Sequence, residues 1–192
     1  AIGRLINELD QLGIRDNTLI VFASDNGAAV QAPLAELKCN GSLRGRKGQL
    51  YEGGIRVPFI VNQPGKVKVQ ELDNLIYFPD VMPTLANLAR ATDKLPQRIN
   101  GMNILPLFYG HQVETNNRLL YWEFTGKQRA ARRGDWKVVS VKKDAPLELY
   151  HISKDMTEST NLAQDHPEIV KEFEQEMNKM RTPSPNWPLP NE

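Results

Sequence analysis

The chain has 192 residues, 40% apolar and 24% charged, with 24 Lys and Arg against 23 Asp and Glu for a net charge of +1. This is globular composition, and the near balance argues against a protein built on nonspecific attraction to nucleic acid or to anionic membrane, which usually requires a large basic excess. The longest apolar run, Leu19 to Ala23, falls far short of the roughly 18 residues that cross a bilayer, and the single cysteine, Cys39, excludes an internal disulfide framework and an all-cysteine metal cage.

The chain opens without Met and directly into an amphipathic pattern, so we expect a piece of something longer. Ile2, Leu5, Ile6, Leu9 and Leu12 recur at intervals of three and four, predicting a helix that ends near Gly13 with its apolar stripe on a core. Thr18 to Ala23 reads as a strand covered on both faces, stopping at the polar run Ser24-Asp25-Asn26-Gly27. Helix, buried strand and polar loop form the grammar of an α/β sheet, in which ligands sit beyond strand ends, the place that Asp25 and Asn26 occupy. Residues 28–51 read as a long functional loop, Ile55 to Val61 as a strand with Pro58 at an edge or bulge, and Val81, Leu85, Leu88 and Ala89 as a helical stripe with Pro83 in its first turn.

From about Val113 the pattern changes to short runs at Leu119 to Phe124, Arg129 to Arg132, Trp136 to Val141 and Leu147 to Tyr150, predicting a small antiparallel sheet. Asp165, Pro167 and Glu168 mark a helix start, with Ile169, Phe173, Met177 and Met180 on one face. The tail carries Pro183, Pro185, Pro188 and Pro190 and is expected to run extended. The expected division is residues 1–112 as part of a large α/β domain and 113–192 as a small C-terminal α+β domain.

Asp25 and Asn26 are hard oxygen ligands suited to Ca²⁺ or Mg²⁺, although the same residues also favour a plain turn. The run Leu43-Arg44-Gly45-Arg46-Lys47-Gly48-Gln49-Leu50-Tyr51-Glu52-Gly53-Gly54-Ile55-Arg56-Val57-Pro58 combines cations with glycines whose N–H groups could approach a tetrahedral anion; it could equally be a solvated basic loop. It is not a phosphate-binding P-loop, because neither Ser nor Thr follows Lys47. Glu52 and Arg56 read as a structural ion pair. His111, His151 and His166 are not placed for acid–base work. Trp122 and Trp136 read as core, Trp187 lies freer in the tail, and Arg129, Arg132 and Arg133 form either an anion-facing group or a solvated strand edge.

These runs, taken in order, resemble the C-terminal portion of a type I sulfatase. The likeness is carried by Asp16 to Phe22 leading into Ser24-Asp25-Asn26-Gly27, and by Lys47-Gly48 with Glu52-Gly53-Gly54-Ile55-Arg56-Val57-Pro58. It continues through Asp80-Val81-Met82-Pro83-Thr84-Leu85, Asn100-Gly101-Met102, Leu105-Pro106-Leu107, Arg133-Gly134-Asp135-Trp136-Lys137, Glu148-Leu149-Tyr150 and the segment from Asp155 to Glu168. The resemblance implies an alkaline-phosphatase-like α/β fold, with a small C-terminal antiparallel sheet and packed helix, and hydrolysis of sulfate esters. It implies that Asp25 and Asn26 ligate Ca²⁺ and that Lys47 contacts sulfate near the leaving oxygen. Cation and lysine together would offset charge on the sulfuryl oxygens.

The family's formylglycine nucleophile arises in a Cys/Ser-x-Pro-x-Arg motif that does not occur here; Cys39 is followed by Asn40, Gly41, Ser42 and Leu43 and is not the nucleophile. An acidic pair that completes the calcium site, and Lys and His residues that precede this region in relatives, are also missing, and Arg46 stands where many relatives carry glycine. The expectation is therefore an inactive fragment with an incomplete Ca²⁺ site, whose partners would be a sulfated small molecule or glycan, the N-terminal part of the same protein, and a second copy through uncovered surface; neither nucleic acid nor membrane is expected. Alternatives are a phosphodiesterase or phosphonate hydrolase of the same superfamily and a noncatalytic binding or assembly module. Location stays open, with periplasmic, secreted or lysosomal-type export compatible with the resemblance.

Overall fold

The computed structural model describes residues 1–29, 38–125, 128–142 and 145–186, which include all the predicted helices and strands; residues 30–37 of the predicted long loop, and Trp187, Pro188 and Pro190, lie outside them. Its contacts divide the chain into two compact units, Ala1–Ala23 with Pro58–Asn116, and Ser24–Val57 with Asn117–Glu192.

In the first unit, α1 spans Ile2–Gln11 and β1 spans Ile20–Ala23. β1 pairs antiparallel with β2, Phe59–Asn62, placing Ile20 opposite Asn62 and Ala23 opposite Phe59. The expectation of a core under α1 is corrected: Ile2, Leu5 and Leu12 are all more than half exposed, and no residue of the helix is buried. The expectation of a strand covered on both faces is corrected too, since Val21 and Phe22 are exposed. Both apolar patterns are present, but no described layer covers either surface; an apolar stripe states what an element needs, not what it meets.

The core of this unit lies around α4, Leu105–Phe108, where Ile104, Leu105, Leu107 and Phe108 pack with Leu19, Phe59, Val61 and Ile76. Helix α3, Val81–Leu88, accepts Pro83 in its first turn as predicted, and buries Pro83 and Thr84 rather than Leu85 and Leu88. Polar stitching explains this. The buried Asp80 carboxylate accepts the Tyr77 and Met102 N–H groups at 3.0 and 2.9 Å, while the Thr84 hydroxyl donates to the Asp80 carbonyl at 2.6 Å and accepts the Ile104 N–H at 2.9 Å. A Cβ at Gly101 would overlap the Pro79 carbonyl oxygen, so the Asn100-Gly101-Met102 run can come this close only with glycine.

The second unit contains the predicted antiparallel sheet, in the order β3 (Leu120–Phe124), β4 (Gln128–Arg133), β5 (Trp136–Ser140), β6 (Glu148–His151). Alternation sorts its residues onto two faces. Ala131, Val138 and Leu149 pack against Phe173 and Met177 of α5, Pro167–Met180, each of which contributes about 1.5–3 kcal/mol by burial. Ala130, Val139 and Tyr150 face the other way, against Leu50, Tyr51, Ile55 and Ile152. Lys137 is two residues from Val139 and therefore shares that second face.

Three local expectations change here. Residues 52–55 form one helical turn, α2 (Glu52–Ile55), closed by an Arg56 N–H bond to the Glu52 carbonyl at 2.7 Å; the strand begins only after Pro58. α5 is capped at His166 without a side-chain bond, because Asp165 belongs to the preceding turn, its N–H donating to the Leu162 carbonyl. β4 is an inner strand, so its arginines do not protect an edge. Arg133 pairs with Glu172 at 2.8 Å and with Glu176, and Arg129 donates to Asn178 at 3.1 Å.

Candidate active site

The two loops that carry the predicted site residues belong to the same compact unit and are tied to each other through backbone. The Gly27 N–H donates to the Gly54 carbonyl at 2.9 Å, and the Lys47 N–H donates to the Ala28 carbonyl at 3.0 Å. Asn40 joins them again, accepting the Ala28 N–H at 2.9 Å and donating to the Gly45 carbonyl at 3.0 Å. Within the first loop the Ser24 hydroxyl donates to the Asn26 carbonyl at 2.9 Å. A Cβ at Gly27 would overlap the Gly53 carbonyl oxygen, so the second glycine-rich run packs directly on the first loop. Asp25 and Lys47 are exposed and Asn26 is half-buried.

Among the described residues, the side-chain oxygens of Asp25 and Asn26 and the Lys47 ammonium take part in no hydrogen bond or ion pair. That donor set fits a hard divalent cation: a carboxylate and an amide oxygen, adjacent, accessible and without other partners. It is only part of a site, since no group of three or more His, Cys, Asp or Glu capable of holding a metal occurs among the described residues.

The motif glycines work differently from an N–H cradle. Gly27, Gly53 and Gly54 all donate within the chain, the latter two to the carbonyls of Arg44 and Tyr51. Gly45 and Gly48 take φ of +86° and +87°, the left-handed turns that fold the loop back. Arg44 also turns inward: it donates to the Tyr150 hydroxyl at 2.8 Å and the Glu158 carbonyl at 3.0 Å, and lies 3.9 Å over the Tyr51 ring. Arg46 and Lys47 are exposed as well.

Beneath this loop lies a buried ion cluster that sequence reasoning saw only at its rim. The Glu52–Arg56 pair is present at 3.4 Å, as expected. The same Glu52 carboxylate also meets Arg132 at 3.5 Å and Lys137 at 2.8 Å, and Lys137 meets Glu158 at 2.8 Å; Glu52, Lys137 and Glu158 are essentially buried. Glu158 in addition accepts the Glu52 N–H at 2.6 Å. Lys137 and Glu158 lie within runs that carry the family likeness, but among sequence signals only strand alternation, which turns Lys137 inward beside Val139, singles out the lysine.

Burial would raise the Glu52 carboxyl, yet Lys137, Arg132 and Arg56 together outweigh it and hold this group below the ordinary glutamate range. For Glu158 burial wins over Lys137, with the Glu52 charge adding to it, and the carboxyl sits above the ordinary range. The signs are opposite. The Glu52 charge contributes stability above the unfolded-state pKa, and that contribution is lost as pH falls through the lowered folded value. Glu158 favours the protonated form, contributing below its unfolded pKa and losing this as pH rises through its raised value. We therefore expect the cluster to lose no stability on mild acidification from neutral pH, and to fail only below the ordinary carboxylate range. Denaturant midpoints measured from neutral to acid pH check this; a loss beginning near neutrality and absent in Glu52→Gln would contradict it.

The other candidates have structural surroundings. Trp136 meets the rings of His151 and His166 edge-on at 4.7 and 5.2 Å between centroids, His111 is exposed, and Cys39 is an exposed free thiol. Trp122 and Trp136 pack against the two sheet cores, as expected.

The sulfatase family model matches residues 1–91. An N-acetylgalactosamine-6-O-sulfatase of Bacteroides thetaiotaomicron is 31% identical over 94% of this chain and 40% of its own length. Steryl-sulfatase of Rattus norvegicus is 39% identical over 63% of this chain and 22% of its own. A Bacteroides thetaiotaomicron structure solved in work on glycosaminoglycan metabolism superposes with a TM-score of 0.79 at 30% identity, covering 93% of this chain and 42% of that one. Ps i-CgsB, crystallised with k-i-k-neocarrahexaose, gives 0.78 at 29% identity, over 93% and 39%. The chain belongs to the sulfatase family, matching its C-terminal portion, and has the alkaline-phosphatase-like fold expected of it. It spans about 40% of the length of the first of these relatives.

Proposed function

We propose that this chain is the sulfate-gripping C-terminal part of an enzyme that hydrolyses sulfate esters. The observation that carries the reading is the backbone junction of Gly27 with Gly54 and Lys47 with Ala28, which joins the Asp25–Asn26 loop to the Lys47 loop while the three side chains keep no partner among the described residues. In this reading Asp25 and Asn26 would hold Ca²⁺, which when bound supplies positive charge to the sulfuryl oxygens. Lys47 lies alongside the same anionic head, binding it and offsetting charge on the departing ester oxygen. The nucleophile, a formylglycine, comes from sequence outside these 192 residues, so the chain alone is inactive. Family membership supports a sulfuryl over a phosphoryl substrate. Likeness to an N-acetylgalactosamine sulfatase over 94% of this chain, against 63% for steryl-sulfatase, favours a sulfated sugar over a sulfated sterol.

The test is sulfate release from sulfated glycosaminoglycan oligosaccharides and from a steroid sulfate by the longer polypeptide that contains this chain. Release from neither, by a folded protein carrying a formylglycine, would sink the proposal. For the isolated chain, two neighbouring side-chain ligands predict weak Ca²⁺ binding; isothermal titration giving micromolar or tighter affinity would contradict the assigned ligand set.

A further inference from the structure

We infer that Lys137 is a positioning residue that holds both oxyanion-site loops in register from the C-terminal sheet; the inference rests on the sulfate-binding reading above. Lys137 is fully buried on β5 and bridges two carboxylates, Glu52 Oε1 and Glu158 Oε1, each at 2.8 Å. Both partners act on the same helical turn. Glu52 is its first residue, and Glu158 accepts the Glu52 N–H, one of the donors that a helix start leaves without an intrahelical acceptor. That turn presents the Gly54 carbonyl to the Gly27 N–H, which lies next to Asn26 and two residues from Asp25. The Glu158 carbonyl also accepts Arg44, which begins the loop carrying Lys47, and the Lys47 N–H closes on Ala28.

The contacts thus run from one buried ammonium, hydrogen-bonded to Glu52 and ion-paired with Glu158, through one turn to the Gly27 loop, and through the Glu158 main-chain carbonyl to Arg44 at the start of the Lys47 loop. A hydrophobic layer could pack the sheet face as well, because replacing a buried ion pair with apolar groups is often neutral for stability. What apolar groups cannot do is direct the Gly54 carbonyl and the Arg44 guanidinium, since only hydrogen bonds fix those orientations. Arg132 and Arg56, at 3.5 and 3.4 Å from Glu52, add charge on the outer side of this carboxylate but do not bridge it to Glu158.

The test uses the isotopically labelled 192-residue chain, the single variant Lys137→Met and the triple variant Glu52→Met/Lys137→Met/Glu158→Met. Amide exchange is followed at Gly27 and Arg56 and across β4 and β5, and sodium sulfate is titrated in the presence of calcium chloride. The single variant is expected to speed exchange at Gly27 and Arg56 by at least about tenfold while β4 and β5 stay protected. The triple variant is expected to regain the denaturant midpoint of the parent chain, but neither the loop protection nor the sulfate-induced shifts at Asn26 and Lys47. Unchanged loop protection in Lys137→Met overturns the assignment. So does a triple variant that regains stability, loop protection and sulfate response together, because the cluster then only packs; this arm decides even if the single variant does not fold. Amides 26 and 47 that ignore sulfate in the parent chain, with Gly27 still released in Lys137→Met, overturn the oxyanion reading separately.

Discussion

Replacing Lys47 with alanine in the longer polypeptide is expected to lower turnover of sulfate esters by about 10²–10³-fold, the usual loss when one preorganised charge-stabilising donor is removed. The side chain is exposed and has no hydrogen-bond or ion-pair partner among the described residues; the backbone N–H bond to Ala28 is kept. Stability, measured by denaturant midpoint, should stay within about 0.5 kcal/mol of the parent. Because the ammonium is assigned to charge that grows as the ester oxygen departs, kcat should fall more than KM rises, and substrates with poorer leaving groups should lose most. Turnover within threefold of the parent on every substrate would remove Lys47 from the site. Asp25→Ala should show a comparable loss that added calcium partly reverses, because Asn26 and any ligands outside this chain remain.

The converse profile is expected one step deeper in the loop. Glu52→Gln should destabilise the chain by about 3–5 kcal/mol, the range found when one member of a buried charge set is removed. The amide keeps the volume but leaves Lys137 with Glu158 alone, and it withdraws the anion shared with Arg132 and Arg56. Of five charged groups, three positive and two negative, a single negative remains beside the three cations, and it is the carboxylate that burial already drives toward protonation. Urea unfolding followed by tryptophan fluorescence measures this directly, since Trp122 and Trp136 pack against the two sheet cores of this unit. A change below about 1 kcal/mol would show that the cluster contributes no more than a surface ion pair. Glu52→Gln and Lys47→Ala lie five residues apart and should separate cleanly, one acting on stability and the other on turnover.

Much of this molecule was legible before any fold was seen. All four strands of the C-terminal sheet, the helix that packs on it and the proline-tolerant α3 follow from alternation and periodicity in the chain itself. So does the Glu52–Arg56 pair, which is a matter of spacing. The runs that carry the family likeness also place Asp25, Asn26 and Lys47 on loops, where accessible charge is expected.

The tertiary structure decided matters that depend on residues far apart in sequence. Periodicity assigned cores to α1 and β1, yet no described layer covers them. Of the motif glycines, which could form an anion cradle or simply a solvated loop, Gly27, Gly53 and Gly54 prove to be points of close packing: a Cβ would collide with the Gly53 carbonyl across the two loops at Gly27, and with carbonyls of the same run, those of Arg44 and Gly45 or of Arg46 and Gln49, at Gly53 and Gly54. The role of Lys137 could not be read from its surroundings in sequence, where it sits among Trp136, Val138 and Val139. A lysine can be held this deep only if opposite charge meets it there, and its partners Glu52 and Glu158 are 85 residues before it and 21 after. Local order is set by neighbours along the chain, whereas the compensation of buried charge is set by neighbours in space.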